Sequence, residues 1–207
     1  NGLKGYPHQE PVNYDGSLLL ISLFFDGVYN FRKSVDGGLN WTTPTAPAGL
    51  SNGTIYDWVL DGTTVLLCAL GQEIWRSTDS GDTYTQMAVP AGIGGGDQII
   101  GMDMISGTGY AWVVINGGED KIYKTVDDGI TWTDNYTVGL VNRVNTGTGR
   151  IVRINPTDVT NVVIATNEVT VTFDSGATWT EDLLTASGTV TGPETCLADR
   201  ITGDMYI

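Results

Sequence analysis

The chain has 207 residues, enough to bury the core of one large all-β domain. Its 24 Asp and Glu outweigh 10 Lys and Arg, for a net charge of -14. That balance leaves no basic footprint for nucleic acid and opposes docking on an anionic membrane, so neither partner is expected; an acidic surface keeps a Thr-, Ser- and Gly-rich chain soluble.

Helical periodicity is nearly absent. Short runs of β-branched and aromatic residues recur instead, bounded by Gly, Asp, Asn and Pro. The first residues, Asn1-Gly2-Leu3-Lys4-Gly5, lack the basic and apolar regions of a secretory leader, which a mature or cut chain would have lost. The pattern then predicts units of four strands, A to D. In the first unit they fall at 11–15, 18–25, 28–33 and 40–43. The apolar run 18–25 is broken by Ser22 and is too short to span a bilayer. The second unit has strands at 54–60, 64–70, 73–77 and 83–87, and the third at 98–105, 109–115, 121–125 and 131–136. The fourth has 150–155, 161–166, 169–172 and 178–183. A fifth begins with 194–199 and 203–207. Cys68 and Cys196 lie in apolar strand contexts and are expected to be separate buried thiols, so they say little about compartment.

One stretch recurs between strands C and D. Its copies are 34–41 (Ser-Val-Asp-Gly-Gly-Leu-Asn-Trp), 77–84 (Ser-Thr-Asp-Ser-Gly-Asp-Thr-Tyr), 125–132 (Thr-Val-Asp-Asp-Gly-Ile-Thr-Trp) and 172–179 (Thr-Phe-Asp-Ser-Gly-Ala-Thr-Trp). Their first residues are 43, 48 and 47 positions apart, a period that marks repeated supersecondary units. Four strands per unit at this period predict an all-β β-propeller of four-stranded antiparallel blades. The expected blades are 9–43, 54–87, 97–136 and 150–183, with a partial blade at 193–207. A β-sandwich, the other all-β option, gives no reason to repeat one turn at near-equal spacing. Four and a half blades leave strand edges uncovered. The expectation is that a longer chain or a partner chain completes the ring, with residues 1–7 lending one strand to the last blade.

The pattern Ser/Thr-x-Asp-x-Gly-x-x-Trp/Tyr resembles the Asp-box, or BNR repeat, of sialidases, xyloglucan-cleaving glycosidases, sortilin-type receptors and many extracellular and phage propellers. Gly38, Gly81, Gly129 and Gly176 supply positive φ. Asp36, Asp79, Asp127 and Asp174 are expected to accept turn amides, with Trp41, Tyr84, Trp132 and Trp179 covering the hairpins. These aspartates therefore read as anchors rather than as catalysts or calcium ligands. The resemblance implies that they lie on the face opposite the ligand-binding cleft.

Function then falls to the face bearing the D–A and B–C loops. Candidate polar groups there are Asp26, Asp57, Glu73, Asp97, Glu119, Asp120, Arg143, Arg150, Glu168 and Glu194, with Tyr56, Trp58 and Tyr136 as aromatics that could stack on a sugar. The ligand-binding set singled out is Asp57, Trp58, Asp97, Arg143, Arg150 and Glu194. A sialidase would need three clustered arginines. Of the six present, Arg32 and Arg76 precede the boxes, Arg143 and Arg150 alone are well placed at the loop face, and a Phe-Arg-Ile-Pro motif is missing. Phe25-Asp26-Gly27-Val28-Tyr29 faintly resembles the xyloglucanase turn that carries one catalytic carboxylate, which makes Asp26 a weak catalytic candidate. In that family the partner Asp comes from a second propeller, and Asp-Gly is also a common hairpin turn. The single histidine, His8, supports neither a His-based metal cluster nor a Ser-His-Asp triad, and no metal or cofactor is expected. The glycine run 92–96 is followed by no Lys-Ser/Thr and is not a phosphate loop. The preferred reading is a non-enzymatic Asp-box propeller, extracellular or on a virion, binding a glycan or a protein. The alternative is a glycoside hydrolase of β-glucan or xyloglucan type.

Overall fold

Apolar runs bounded by Gly, Asp and Asn become antiparallel strands because β-branched and aromatic side chains fill a pleated surface while the bounding residues accept turn geometry. The computed structural model describes residues 6–7, 12–13, 18–25, 28–50, 55–69, 72–138, 151–165, 169–182, 197–198 and 205–206. In the first sheet, β1 (Tyr6–Pro7) and β2 (Val12–Asn13) share one edge of β3 (Leu19–Phe25), and β4 (Val28–Ser34) takes the other. The second sheet runs β5 (Ile55–Asp61), β6 (Thr64–Ala69), β7 (Glu73–Ser77) and β8 (Thr85–Gln86) in that order. The third has β9 (Gln98–Ile105), β10 (Thr108–Val114), β11 (Lys121–Thr125) and β12 (Thr133–Thr137). The fourth has β13 (Ile151–Ile154), β14 (Val162–Ala165), β15 (Val169–Thr172) and β16 (Thr180–Asp182). A two-stranded pair follows, β17 (Leu197–Ala198) with β18 (Met205–Tyr206).

The meander A-B-C-D is thus present in the second, third and fourth sheets, and successive first strands are neighbours: β5 packs on β9, and β9 on β13. This is the arrangement of propeller blades stacked face to face. The cores lie between blades. Alternate residues of β6 serve two of them: Val65, Leu67 and Ala69 pack with Leu18 and Phe31 of the first sheet, while Leu66 and Cys68 pack with Ile99, Met102 and Met104 of the third. In β10, Ala111 and Val113 face the second sheet, whereas Tyr110 and Trp112 face Val152, Ile154 and Ile164 of the fourth. Burial on both sides is why these strands are continuously apolar rather than alternating. Cys68 is a free, buried thiol within this packing; Cys196 lies outside the described residues.

Two strand expectations change. Tyr6–Pro7 does not complete the last blade; it pairs with the first sheet, Tyr6 opposite Phe24 and Pro7 opposite Leu23. Closing a short local loop costs less chain entropy than closing across the whole domain. The fourth strand of the first blade shrinks to one bridge, Lys33 with Thr42, because Pro44 and Pro47 follow and have no amide hydrogen to donate.

Candidate functional site

The four repeated turns share one hydrogen-bond pattern. The leading hydroxyl (Ser34, Ser77, Thr125, Thr172) donates to Oδ1 of the Asp two residues on, at 2.7–2.8 Å. The same hydroxyl accepts the amide of Gly38, Gly81, Gly129 or Gly176 at 2.8–3.1 Å. Oδ1 of the Asp also accepts the amide of the seventh residue, and Oδ2 accepts that residue's side chain: Asn40 Nδ2 at 2.7 Å, and the Thr83, Thr131 and Thr178 hydroxyls at 2.6 Å. The seventh position is therefore a working part of the turn, although the sequence pattern treats it as a spacer. Positive φ is needed twice in succession. The residue before each glycine (Gly37, Ser80, Asp128, Ser175) sits at 59–68°, and the glycine at 77–90°. Trp41 and Trp132 donate from the indole to the turn glycine's carbonyl, while the Trp179 indole reaches Asn135.

These bonds set the charge of the aspartates. The Thr83 hydroxyl, with Ser77 and the Thr83 amide, lowers Asp79 to about 2. Thr178 does the same for Asp174, also to about 2. Asp36 and Asp127 are likewise held below the ordinary carboxylate value, by Asn40 and Thr131 first of all. Both carboxylate oxygens of Asp36, Asp79, Asp127 and Asp174 accept bonds from their own turns, so these four groups fix backbone.

The turns also fix the two faces of the molecule. The amides of Ser80, Asp128 and Ser175 donate to the carbonyls of Thr63, Gly107 and Thr160 in the A–B turns. A–B and C–D turns therefore share one face, and the D–A and B–C loops form the other.

Polar ties cross from each blade to the next, and these were not anticipated from sequence. Asp57 Oδ2 accepts the Met102 amide, Asp61 Oδ2 the Gly107 amide and Asp103 Oδ2 the Ile154 amide, each at 2.8 Å. The two β-strand amides, Met102 and Ile154, belong to first strands, which stand at an edge of their sheets among the described residues. On the turn face, the residue before each leading hydroxyl reaches forward. Lys33 pairs with Asp82 at 2.8 Å, Arg76 Nε donates to the Asp128 carbonyl at 2.8 Å, and Lys124 Nζ to the Ser175 carbonyl at 2.6 Å. A cation at that position in three of four repeats was the available signal; the fourth repeat has Val171.

Three members of the ligand-binding set fall within the described residues. Trp58 is 4% exposed and meets Phe31 edge-on at 5.4 Å, so its ring is spent on packing between blades rather than open to a sugar. Asp97 is buried; its carboxylate accepts the Gly94 amide at 2.7 Å and the Asn116 amide at 2.8 Å, clamping the D–A loop to the B–C turn of the third blade. Gln72 to the Gly94 carbonyl and Tyr123 to the Ala91 carbonyl hold the same loop. Asp57 links blades as described. Glu73 accepts the Trp75 indole, Asp120 braces its own turn through the Ile115 amide, and Tyr136 stacks on Trp179 and donates to Glu181. Glu119 is exposed. Asp26, Arg143, Arg150, Glu168 and Glu194 lie outside the described residues, as does the side chain of Tyr56.

Asp57 differs from the turn aspartates. It keeps some surface in water, but its carboxyl is enclosed, and burial pushes it up to about 6 against the opposing pull of Arg153 and the Met102 and Trp58 amides; Asp103 adds to the rise. A group raised in the folded state binds its proton more tightly there than when unfolded, so its contribution favours folding as pH falls from about 6 to the ordinary carboxylate value. The turn aspartates have the opposite sign: their contribution is full above that value and is lost as pH falls toward about 2. Denaturant midpoints are expected to peak near the ordinary carboxylate value, and Asp57→Asn is expected to flatten the acid-side rise below pH about 6. A wild-type midpoint that falls steadily through that window contradicts the assignment.

No family model matches the chain, and no curated protein sequence matches it. Among solved structures it is similar to the Niastella koreensis GH74 enzyme, with a TM-score of 0.56 and 21% identity over 80% of this chain and 27% of that one. YCF48 from Cyanidioschyzon merolae gives a TM-score of 0.60 and 17% identity, covering 90% of this chain and 59% of that one. A Dyadobacter fermentans protein of unknown function gives 0.56 and 14%, covering 87% and 65%. The chain thus spans about a quarter of the GH74 enzyme and under two thirds of the other two. At these identities the likeness concerns the fold, and the fold is that of a β-propeller with four-stranded antiparallel blades.

Proposed function

We propose that the chain is an Asp-box propeller acting as a non-enzymatic binding module, outside the cell or on a virion, with its glycan or protein ligand on the face of D–A and B–C loops. A further segment or a partner chain completes the ring in this reading. The observation that carries it is the use of the carboxylates. Asp36, Asp79, Asp127 and Asp174 serve their turns, Asp57, Asp61 and Asp103 serve the next blade, and Asp97 serves a loop clamp. A glycosidase needs two carboxyl groups facing each other across a cleft, one to give and one to take a proton. A second reading, a glycoside hydrolase acting on xyloglucan-type glucans, draws on the likeness of fold to GH74 enzymes and on Asp26 in the sequence Phe25-Asp26-Gly27-Val28-Tyr29. The experiment is an assay against sialosides and β-glucans alongside a binding screen on the same glycans. The expected result is no turnover by the wild type or by Asp26→Ala. Turnover that disappears in Asp26→Ala replaces the first reading with the second.

A further inference from the structure

The large hydrophobic residues left exposed are concentrated in the repeated turns. Val35, Leu39, Trp41, Val126, Ile130 and Phe173 all lie there, and Val89 is the one elsewhere among the described residues. Within the turns, most occupy two positions. The second position holds Val35 (66% exposed), Thr78, Val126 (71%) and Phe173 (70%); the sixth holds Leu39 (83%), Asp82, Ile130 (52%) and Ala177. The sixth residue gives its amide to the carbonyl of the turn Asp in the second, third and fourth copies, but the side chains of Val35, Leu39, Val126, Ile130 and Phe173 are apolar and take no part in the turn's hydrogen bonds. Exposed apolar groups that cluster on one face mark interaction surfaces.

Blades three and four carry this furthest. Their turns are locked together by Lys124 Nζ to the Ser175 carbonyl at 2.6 Å, Asn135 Nδ2 to the Gly176 carbonyl at 3.3 Å, and the Trp179 indole to Asn135 Oδ1 at 3.1 Å. Val126, Ile130 and Phe173 therefore stand on backbone that is already rigid, and little ordering is needed on binding. Beside them lie the carboxylates of Asp127 and Asp174, whose turn hydrogen bonds keep them ionised well below neutral pH. The turn of the first blade is as apolar, but its neighbour breaks the patch with Thr78 and the ion-paired Asp82.

We propose that the turn face of blades three and four docks a segment of another polypeptide in which basic and apolar residues alternate, the apolar ones covering Val126, Ile130 and Phe173 and the basic ones facing Asp127 and Asp174. Charge selects this occupant. A second copy of the chain would bring the same acidic turns, and a net charge of -14, against them. An anionic lipid surface is repelled in the same way. The surface lies opposite the loop face assigned to the ligand above, so it stands whether or not that reading does.

The test uses the full chain and two dye-labelled peptides, one alternating Leu with Lys and one alternating Leu with Glu, followed by fluorescence anisotropy at low salt. The expected result is binding of the Leu–Lys peptide alone, weakened at least about tenfold by Val126→Ser with Phe173→Ser. Leu39→Ser on the first blade is expected to change it by less than about twofold. Both sets of substitutions are at exposed positions, and a thermal melt checks that folding is intact. Equal binding of both peptides, no binding of the Leu–Lys peptide, or unchanged binding in the double variant overturns the proposal. So does concentration-dependent self-association of the wild type that the double variant abolishes, which would make the occupant a second copy.

Discussion

Gly129→Ala is expected to destabilise the protein by about 2–5 kcal/mol, the sum of a left-handed backbone penalty of about 1–2 and an overpacking penalty of about 1–3. Gly129 sits at φ +77°, and a Cβ there would lie 2.6 Å from Leu66 Cδ1 and 2.8 Å from Cδ2. Leu66 is fully buried in the core between the second and third blades, so its methyls can give way only by displacing packed neighbours. The turn of one blade is thus pressed onto the core of the blade before it. Gly62→Ala separates the two contributions: its φ is +60° and nothing lies within 4 Å of a Cβ there. It is expected to lose only the backbone part, about 1–2 kcal/mol. Urea titrations of both variants check this. Equal losses would mean that the contact with Leu66 relaxes freely.

Asp103→Ala is expected to cost a similar amount, about 2–6 kcal/mol, because two buried amides lose their acceptor and each stranded donor costs about 1–3. The amides are Met104, in the same strand, at 2.9 Å and Ile154, in the next blade, at 2.8 Å. Asp103 itself is 5% exposed, so water does not readily replace the carboxylate. Asp103→Asn keeps one acceptor oxygen and is expected to lose about half as much. Hydrogen exchange supplies a local readout: the Ile154 amide should exchange faster in Asp103→Ala, by more than the global loss of stability alone produces. Unchanged protection at Ile154 would remove the carboxylate from its assigned role.

The fold was legible because its signals are local and repeated. Continuous apolar runs marked β6, β10 and β14, and the turn recurred at blade spacing. What escaped was mostly the part that depends on two blades at once. Asp57 reads as a loop-face polar group and Asp103 carries no signal of its own in a linear sequence, yet their partners, Met102 and Ile154, are 45 and 51 residues away. Trp58 reads as a stacking aromatic because it is placed toward the loop face, and its neighbour, Phe31, belongs to a different sheet. Some signals were present and passed over. Asn or Thr fills the seventh turn position in every copy, and a cation precedes the leading hydroxyl in three.

The ties between blades have a direction, and most end on main-chain atoms. Asp57, Asp61 and Asp103 take amides from the following blade, and Arg76, Lys124 and Asn135 give to its carbonyls; Lys33 with Asp82, Tyr136 with Glu181 and Asn135 with the Trp179 indole join side chains instead. The polar part of the joint therefore reads a blade mostly as a backbone shape, while the apolar core between blades depends on its side chains. Such a scaffold accepts divergence so long as strand and turn keep their geometry and the buried faces keep their fit. It can alter exposed positions such as Val126 and Phe173 without renegotiating the joint.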